Sequence, residues 1–255
     1  MADLISLAQS IALRIAGALG YSVARAGKEG LPVDFTQEEI DEVRAVKPFT
    51  RTGPERIQAL LAATKYVVNA GIPGDIVECG VWMGGSMMVV ARALRRMNDL
   101  SRGLHLFDTF AGMSAATEQD RDFRGKDASQ LMARARGTSE DIWAIGPLET
   151  VQKNMSGTGY PVERIHYRVG RVEDTLPGHA PEKIALLRLD TDWYESTRHE
   201  MEHLYPRLAA GGVLIVDDYG HWAGAKRAVD EYIDAHGLKL LLNRIDYTGR
   251  IAIKP

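Results

Sequence analysis

Two apolar runs that end abruptly in aspartates constrain what this chain can fold into. Residues 186–194 read LLRLDTDWY, and residues 213–220 read VLIVDDYG. Charged side chains are costly to bury unless they are paired or bind a metal ion. We therefore expect each run to be a buried strand whose acids lie where the strand leaves the core.

Strand-like and helix-like segments alternate along most of the chain. Helices are predicted over 54–70, 85–97, 195–208 and 223–236, and strands over 76–79, 104–107, 164–169, 184–189, 213–216, 238–242 and 250–253. This alternation is typical of an α/β fold with a mostly parallel sheet and helices on both faces. The last two strands are close in sequence, which favours an antiparallel hairpin. In such Rossmann-like sheets, ligands bind beyond the carboxyl ends of the strands, where the aspartates are expected.

Composition excludes some classes of protein. The 255 residues carry a net charge of −3 and a sequence pI near 6.2, which argues against a general nucleic-acid binder. The single cysteine, Cys79, cannot form an intrachain disulfide, which favours a cytoplasmic protein, and its apolar surroundings predict a packing role.

The first fifty residues are predicted to form a helical appendage. Apolar residues recur at helical spacing between positions 4 and 20, but polar residues interrupt them and no basic segment precedes them, so a signal peptide or membrane span is disfavoured. The favoured interpretation is a helix that packs on the domain or on a second subunit, which makes a homo-oligomer the expectation. A peripheral membrane contact through residues 4–20 is the alternative.

A glycine-containing turn follows the first predicted strand. Residues 78–86 read ECGVWMGGS, in which Gly80 allows a tight turn and Ser86 lies near the start of the next helix. The dinucleotide pattern GxGxxG is absent, and Glu78 would repel a pyrophosphate but attract a sulfonium. Asp108 ends the second strand, where a carboxylate can accept both ribose hydroxyls. Together these features favour S-adenosylmethionine over NAD, with Thr109 beside Asp108 as a further contact.

The segment 167–174, YRVGRVED, follows the third strand. Gly170 permits another tight turn, and Arg171 and Glu173 are candidates to border the adenine. An ordinary capped loop is the alternative for each of these residues.

Three aspartates are candidates for a metal site. Asp190 follows one strand, and Asp217 and Asp218 follow a strand that the topology can place beside it. Converging carboxylates repel one another unless a cation or a proton intervenes, and oxygen ligands of this kind suit Mg²⁺. No zinc site is expected, because no histidine or cysteine spacing suited to zinc is recognised in the sequence. The alternative is that one acid caps a helix and another pairs with Arg188 or Lys226.

Several motifs resemble those of the macrocin O-methyltransferase family. They are GDIVECGVWMGGS, LFDTF, GRVEDTLP, the long segment from LLRLDTDWY through VLIVDDYG, and AVDEYIDAHG. The resemblance covers about residues 50–255 and implies a class I methyltransferase fold that uses S-adenosylmethionine and Mg²⁺ to methylate sugar hydroxyls. It also implies a lid-like insertion at 112–150 within a domain spanning 51–255.

The resemblance assigns roles to individual residues. It implies that the metal ligands are Asp190, Asp217 and Asp218, and that the donor is held by Thr50, Glu78, Gly80, Ser86 and Asp108. Asp190 is the first candidate for the general base. His221, just past the DDYG turn, is its rival.

Two other functions remain open at this point. A metal-dependent methyltransferase acting on catechol-like acceptors would use the same geometry, with Trp82, Trp193 and Trp222 available to stack on an aromatic ring. A noncatalytic subunit that binds S-adenosylmethionine is the other, although such a subunit has no need for three converging carboxylates.

Overall fold

The computed structural model describes residues 30–135 and 143–255. The chain separates into two units, Met1–Asp41 and Glu42–Pro255. The helix predicted between residues 4 and 20 lies outside the described residues, so the membrane contact and the homo-oligomer stay predictions. None of the described helices is long and apolar enough to cross a membrane.

The described elements alternate as the sequence predicts. The strands are β1 (Asp75–Cys79), β2 (Leu104–Asp108), β3 (Ile165–Val169), β4 (Ile184–Leu189), β5 (Leu208–Val216), β6 (Asn243–Arg244) and β7 (Arg250–Ile253). The α-helices are α1 (Gln37–Val46), α2 (Pro54–Asn69), α3 (Gly85–Arg96), α4 (Ala128–Ala135), α5 (Leu148–Ser156), α6 (Val172–Thr175), α7 (Tyr194–Leu204) and α8 (Ala223–Ala235).

The seven described strands form one sheet in the order β3-β2-β1-β4-β5-β7-β6. The first five pair in parallel, whereas β7 is antiparallel to both β5 and β6. This confirms the predicted α/β fold and the terminal antiparallel hairpin.

One predicted strand and two predicted boundaries are wrong. Among the described residues, 238–242 form no strand, because Leu238, Leu240 and Leu242 pack against the core as a loop while the short β6 pairs with β7. The helix predicted to end at 208 ends at Leu204, and β5 begins at Leu208 rather than at residue 213. The start of β5 was missed because residues 209–212, AAGG, do not alternate between apolar and polar side chains as a strand usually does.

The sheet separates two apolar layers. Successive strand residues point to opposite faces, so Ile76 packs in one layer and Val77 in the other, and Leu186 and Leu187 divide in the same way. Every residue of β4 is buried, which explains why its sequence is apolar except for Arg188. Cys79 lies in the second layer, and burial raises the pKa of its thiol well above the usual value, as expected of a packing residue.

The register of the central strands brings the predicted site residues to one edge of the sheet. Cys79 aligns with Leu189, and Leu189 aligns with Val216. The next residue after each strand therefore emerges at the same level. The Asp190 amide donates to the Cys79 carbonyl at 2.9 Å, and the Asp217 amide donates to the Leu189 carbonyl at 2.9 Å.

Candidate active site

A cavity of about 310 Å³ lies beyond the carboxyl ends of the central strands. It is lined by every residue predicted for the site except Glu78. These residues are Thr50, Gly80, Ser86, Asp108, Thr109, Arg171, Glu173, Asp190, Asp217, Asp218 and His221. The residues that the sequence predicts for the site therefore lie around one cavity, with Glu78 as the exception.

The glycine turn is shaped by a close approach of two backbone segments. Gly80 has a φ of +83°, and a Cβ placed on it would lie 1.9 Å from the carbonyl oxygen of Asp190. Glycine is thus required by the neighbouring Asp190 loop. Asp108 fixes the other side of the turn, because its carboxylate accepts from the backbone amides of Val81 at 2.6 Å and Trp82 at 3.0 Å.

Glu78 lies beneath the cavity instead of lining it. Its side chain is 1% exposed and accepts from Arg188 Nη1 at 2.5 Å, while Oε2 has no hydrogen-bond partner. Burial raises the pKa of Glu78 to about 7, against the opposing effect of the Arg188 guanidinium.

Arg188 connects three acids. Besides Glu78, it contacts Asp190 Oδ2 at 2.7 Å and Asp217 Oδ1 at 2.5 Å. Asp217 also forms an ion pair with Arg56 through its second oxygen. Both oxygens of Asp217 are thus engaged by guanidinium groups, which is the pairing with Arg188 that the sequence left open as an alternative.

A different trio of carboxylates converges. Asp190, Asp192 and Asp218 each offer an oxygen within 4.8 Å of the others. Burial and the neighbouring carboxylates raise the pKa of Asp192 to about 7 and raise the pKa values of Asp190 and Asp218 well above the usual value. Asp192 was not among the predicted ligands, although it is the second acid of the DTD sequence.

Asp192 reaches the cluster through an unusual backbone conformation. Its φ is +67°, in the left-handed region that residues other than glycine seldom adopt. Such conformations are concentrated at functional sites, where the surrounding structure maintains them. The carboxyl group of Asp192 is in hydrogen-bonding contact with that of Asp218.

His221 lies at the same end of the cavity. Its Nδ1 is 3.1 Å from the Tyr247 hydroxyl, and its ring packs against Trp222 and Phe123. Burial lowers the pKa of His221. This shift favours the neutral imidazole, which has one ring nitrogen that can accept a proton.

The sequence profile of the macrocin-O-methyltransferase (TylF) family matches residues 29–252. The chain belongs to this family. It is an S-adenosylmethionine-dependent O-methyltransferase.

Relatives of known function carry the same activity. The chain is 36% identical over 78% of its length, and 73% of the relative's, to the 8-demethyl-8-(2,3-dimethoxy-alpha-L-rhamnosyl)-tetracenomycin-C 4'-O-methyltransferase of Streptomyces olivaceus. It is 32% identical over 78% of its length, and 76% of the relative's, to the mycinamicin III 3''-O-methyltransferase of Micromonospora griseorubida. Among solved structures, the O-methyltransferase NovP superposes with a TM-score of 0.71 at 27% identity, over 98% of both chains.

The tryptophans of the methyltransferase differ in what they can contact. Trp193 is buried, its indole nitrogen donates to the Ser114 carbonyl at 3.1 Å, and it packs edge-on against Trp222. The expectation that Trp193 can stack on an acceptor ring is therefore wrong. Trp82 and Trp222 do line the cavity.

The segment predicted as a lid-like insertion contributes to the cavity wall. Its described residues that line the cavity are Gly112, Met113, Ser114 and Ala144. Asp120 of the same segment accepts from the Tyr194 amide at 2.8 Å, at the start of α7. These contacts place the described part of the insertion against the loop that carries Asp192.

Proposed function

We propose that this enzyme transfers the methyl group of S-adenosylmethionine to a sugar hydroxyl of a glycosylated natural product, with the help of a divalent cation, Mg²⁺. The carboxylate trio beside the cavity carries this proposal. The names of the relatives support the acceptor class, since one is named for a rhamnosyl-tetracenomycin acceptor and another for mycinamicin III.

The charges at the site fit a divalent cation. Among the described residues, six carboxyl groups meet two guanidinium groups, those of Arg56 and Arg188; the acids are Glu78, Asp190, Asp192, Asp217, Asp218 and Asp246. If all six acids are ionised, four negative charges remain. This excess helps to raise the pKa values of the acids, and a hard divalent ion with oxygen ligands would offset two of the charges. Asp190, Asp192 and Asp218 would hold the ion.

Asp217 is assigned a supporting role in this proposal. Its two oxygens face Arg188 and Arg56, so it would fix those guanidinium groups instead of binding the metal directly. Arg188 in turn orients Asp190. We therefore propose Asp192 in place of Asp217 as the third ligand.

The other wall of the cavity would bind the methyl donor. Oδ2 of Asp108 holds the glycine turn, whereas Oδ1 accepts from the Phe110 amide at 2.7 Å and has a second lone pair that can accept a ribose hydroxyl. Thr50 and Ser86 line the same wall, while Arg171 and Glu173 lie on the loop after β3. Glu78 would act from beneath, through Arg188.

When bound, S-adenosylmethionine supplies an electrophilic methyl carbon and Mg²⁺ a Lewis acid that lowers the pKa of the acceptor hydroxyl. We assign the proton-accepting role to His221. Donation by its Nδ1–H to the Tyr247 hydroxyl oxygen would leave the lone pair on Nε2. Asp190 is less suited to accept the proton, because Arg188 already neutralises it.

Aromatic residues at the mouth of the cavity are suited to a sugar. Phe123 and Tyr247 are more than half exposed, and their rings lie 5.4 Å and 5.9 Å from that of His221. Pyranose rings present apolar C–H faces that pack on aromatic side chains. This group would hold the sugar or the adjoining part of its aglycone.

Acceptor and metal dependence test the proposal together. The purified enzyme, with S-adenosylmethionine, should methylate rhamnosylated polyketides and lose activity in EDTA, and Mg²⁺ should restore it. Methylation of catechols in preference to glycosides would reject the sugar assignment. Full turnover in metal-free buffer would reject the cation.

A further inference from the structure

A second group of potential metal ligands lies on α7, outside the cavity. Residues 199–203 read HEMEH, which places His199 and His203 four residues apart with Glu202 between them. Side chains at positions i and i+4 share one face of a helix. The expectation that the sequence contains no histidine spacing suited to zinc is therefore wrong.

The structure brings these side chains together. His199, Glu202 and His203 each offer a ligand atom within 4.8 Å of the others, and the two imidazole centroids are 4.3 Å apart. Both histidines are partly buried, so they are held in place by the protein. Two rings this close cannot both be protonated without repulsion, and burial together with His199 lowers the pKa of His203.

A backbone carbonyl orients one of the rings. His199 Nε2 lies 3.3 Å from the carbonyl oxygen of Leu176, on the segment that follows α6. Donation of Nε2–H to this oxygen leaves the lone pair on Nδ1. Metal-binding histidines commonly have their second ring nitrogen fixed by a carbonyl or carboxylate in this way.

The remaining acid of the motif rules out a hydrolytic site. In metalloproteases with the HExxH pattern, the glutamate beside the first histidine faces the metal as general base. Here Glu200 is fully buried on the core side of α7 and accepts from the Thr191 hydroxyl at 2.9 Å. A metal bound by His199 and His203 would thus have a structural role.

We propose that His199, His203 and Glu202 form a second metal site, which takes a borderline transition-metal ion such as Zn²⁺ and is separate from the Mg²⁺ site. Two imidazoles and one carboxylate suit this class of ion and not Mg²⁺, which prefers oxygen. Glu202 now pairs with Arg198 at 2.7 Å, but exposed ion pairs of this kind are weak and can exchange for a metal. The bound ion would tie the last turn of α7 together.

Zinc titration of the metal-free full-length enzyme tests the site. Excess Mg²⁺ is added to occupy the aspartate cluster. Under these conditions one equivalent of Zn²⁺ should bind, at the α7 site, and should raise the thermal unfolding midpoint of the enzyme. His203→Ala and His199→Ala should each weaken this binding roughly ten-fold or more and abolish the zinc-induced shift. Cobalt(II) absorption bands lost in the same variants would report the ligands directly.

Two controls make the result decisive. His179→Ala removes a surface histidine outside the cluster and should leave zinc binding unchanged. Asp192→Asn alters the proposed Mg²⁺ site and should leave the α7 equivalent intact, which separates this proposal from the proposed function. Zinc affinity unchanged in His203→Ala, or no zinc binding to the wild type, would overturn the α7 site.

Discussion

The carboxylate of Asp217 contacts the guanidinium group of Arg188 at 2.5 Å, and each side chain is only 3% exposed. This pair joins β4 to the end of β5 in the wall of the cavity. Removing one member of a buried pair leaves an uncompensated charge, which is far more costly than losing an exposed pair. Replacing an aspartate of this site by asparagine should therefore change the stability of the protein by an amount that depends on whether that aspartate is paired with an arginine.

Asp217→Asn should mainly reduce the stability of the protein, whereas Asp192→Asn should mainly reduce its affinity for Mg²⁺. Asp217→Asn should lower the free energy of unfolding by about 3 kcal/mol, because Arg188 and Arg56 lose a buried partner. Asp192→Asn should leave stability in metal-free buffer unchanged or higher, since it removes a charge that burial disfavours, but should weaken Mg²⁺ binding roughly ten-fold. Urea unfolding and calorimetric Mg²⁺ titration measure the two effects. The reverse pattern would restore Asp217 as the third ligand.

His221→Ala should lower kcat roughly a hundredfold or more while Mg²⁺ affinity is retained, because the loss of a general base affects proton transfer and not metal binding. Asp190→Asn should abolish both turnover and Mg²⁺ affinity while S-adenosylhomocysteine still binds. Tyr247→Phe is the milder control, since it removes only the contact at His221 Nδ1. Near wild-type turnover in His221→Ala would show that His221 is not the general base and would favour Asp190 in that role.

Gly80→Ala should destabilise the protein far more than Gly71→Ala. Both glycines have positive φ, +83° and +63°, so each substitution incurs the left-handed penalty of about 1–2 kcal/mol. A Cβ at Gly71 meets nothing within 4 Å, whereas one at Gly80 would overlap the Asp190 carbonyl. The difference in unfolding free energy between the variants isolates that overlap. Equal losses would show that the β1 turn can move away from the Asp190 loop.

Glu200→Gln should stabilise the enzyme increasingly as pH rises. Burial raises the pKa of Glu200 well above the model-peptide value of 4.5, so the folded state retains a proton that the unfolded state releases. The wild type therefore loses stability above pH 4.5, by up to about 1.4 kcal/mol per pH unit, until the folded group ionises. Glutamine has no such proton, and its pH profile should lack this slope. Parallel profiles from urea unfolding between pH 5 and pH 8 would contradict the prediction.

The sequence by itself determined the order of elements and the edge of the sheet where the site lies. The strand at 184–189 can be recognised in the sequence because both faces of a strand in a parallel sheet are buried, so that its residues are mostly apolar. The acids that end them then emerge at the carboxyl edge. Gly80, Asp108, Asp190 and His221 all line the cavity at that edge.

Only the tertiary structure decided which acids pair with arginines and which are left to face one another. Glu78 and Arg188 are 110 residues apart in sequence, and their contact depends on the register of β1 with β4. Asp192 joins the cluster from a loop in which its backbone adopts a left-handed conformation. Local patterns carry no information about either relationship, because both arise from side chains that packing brings together from distant strands.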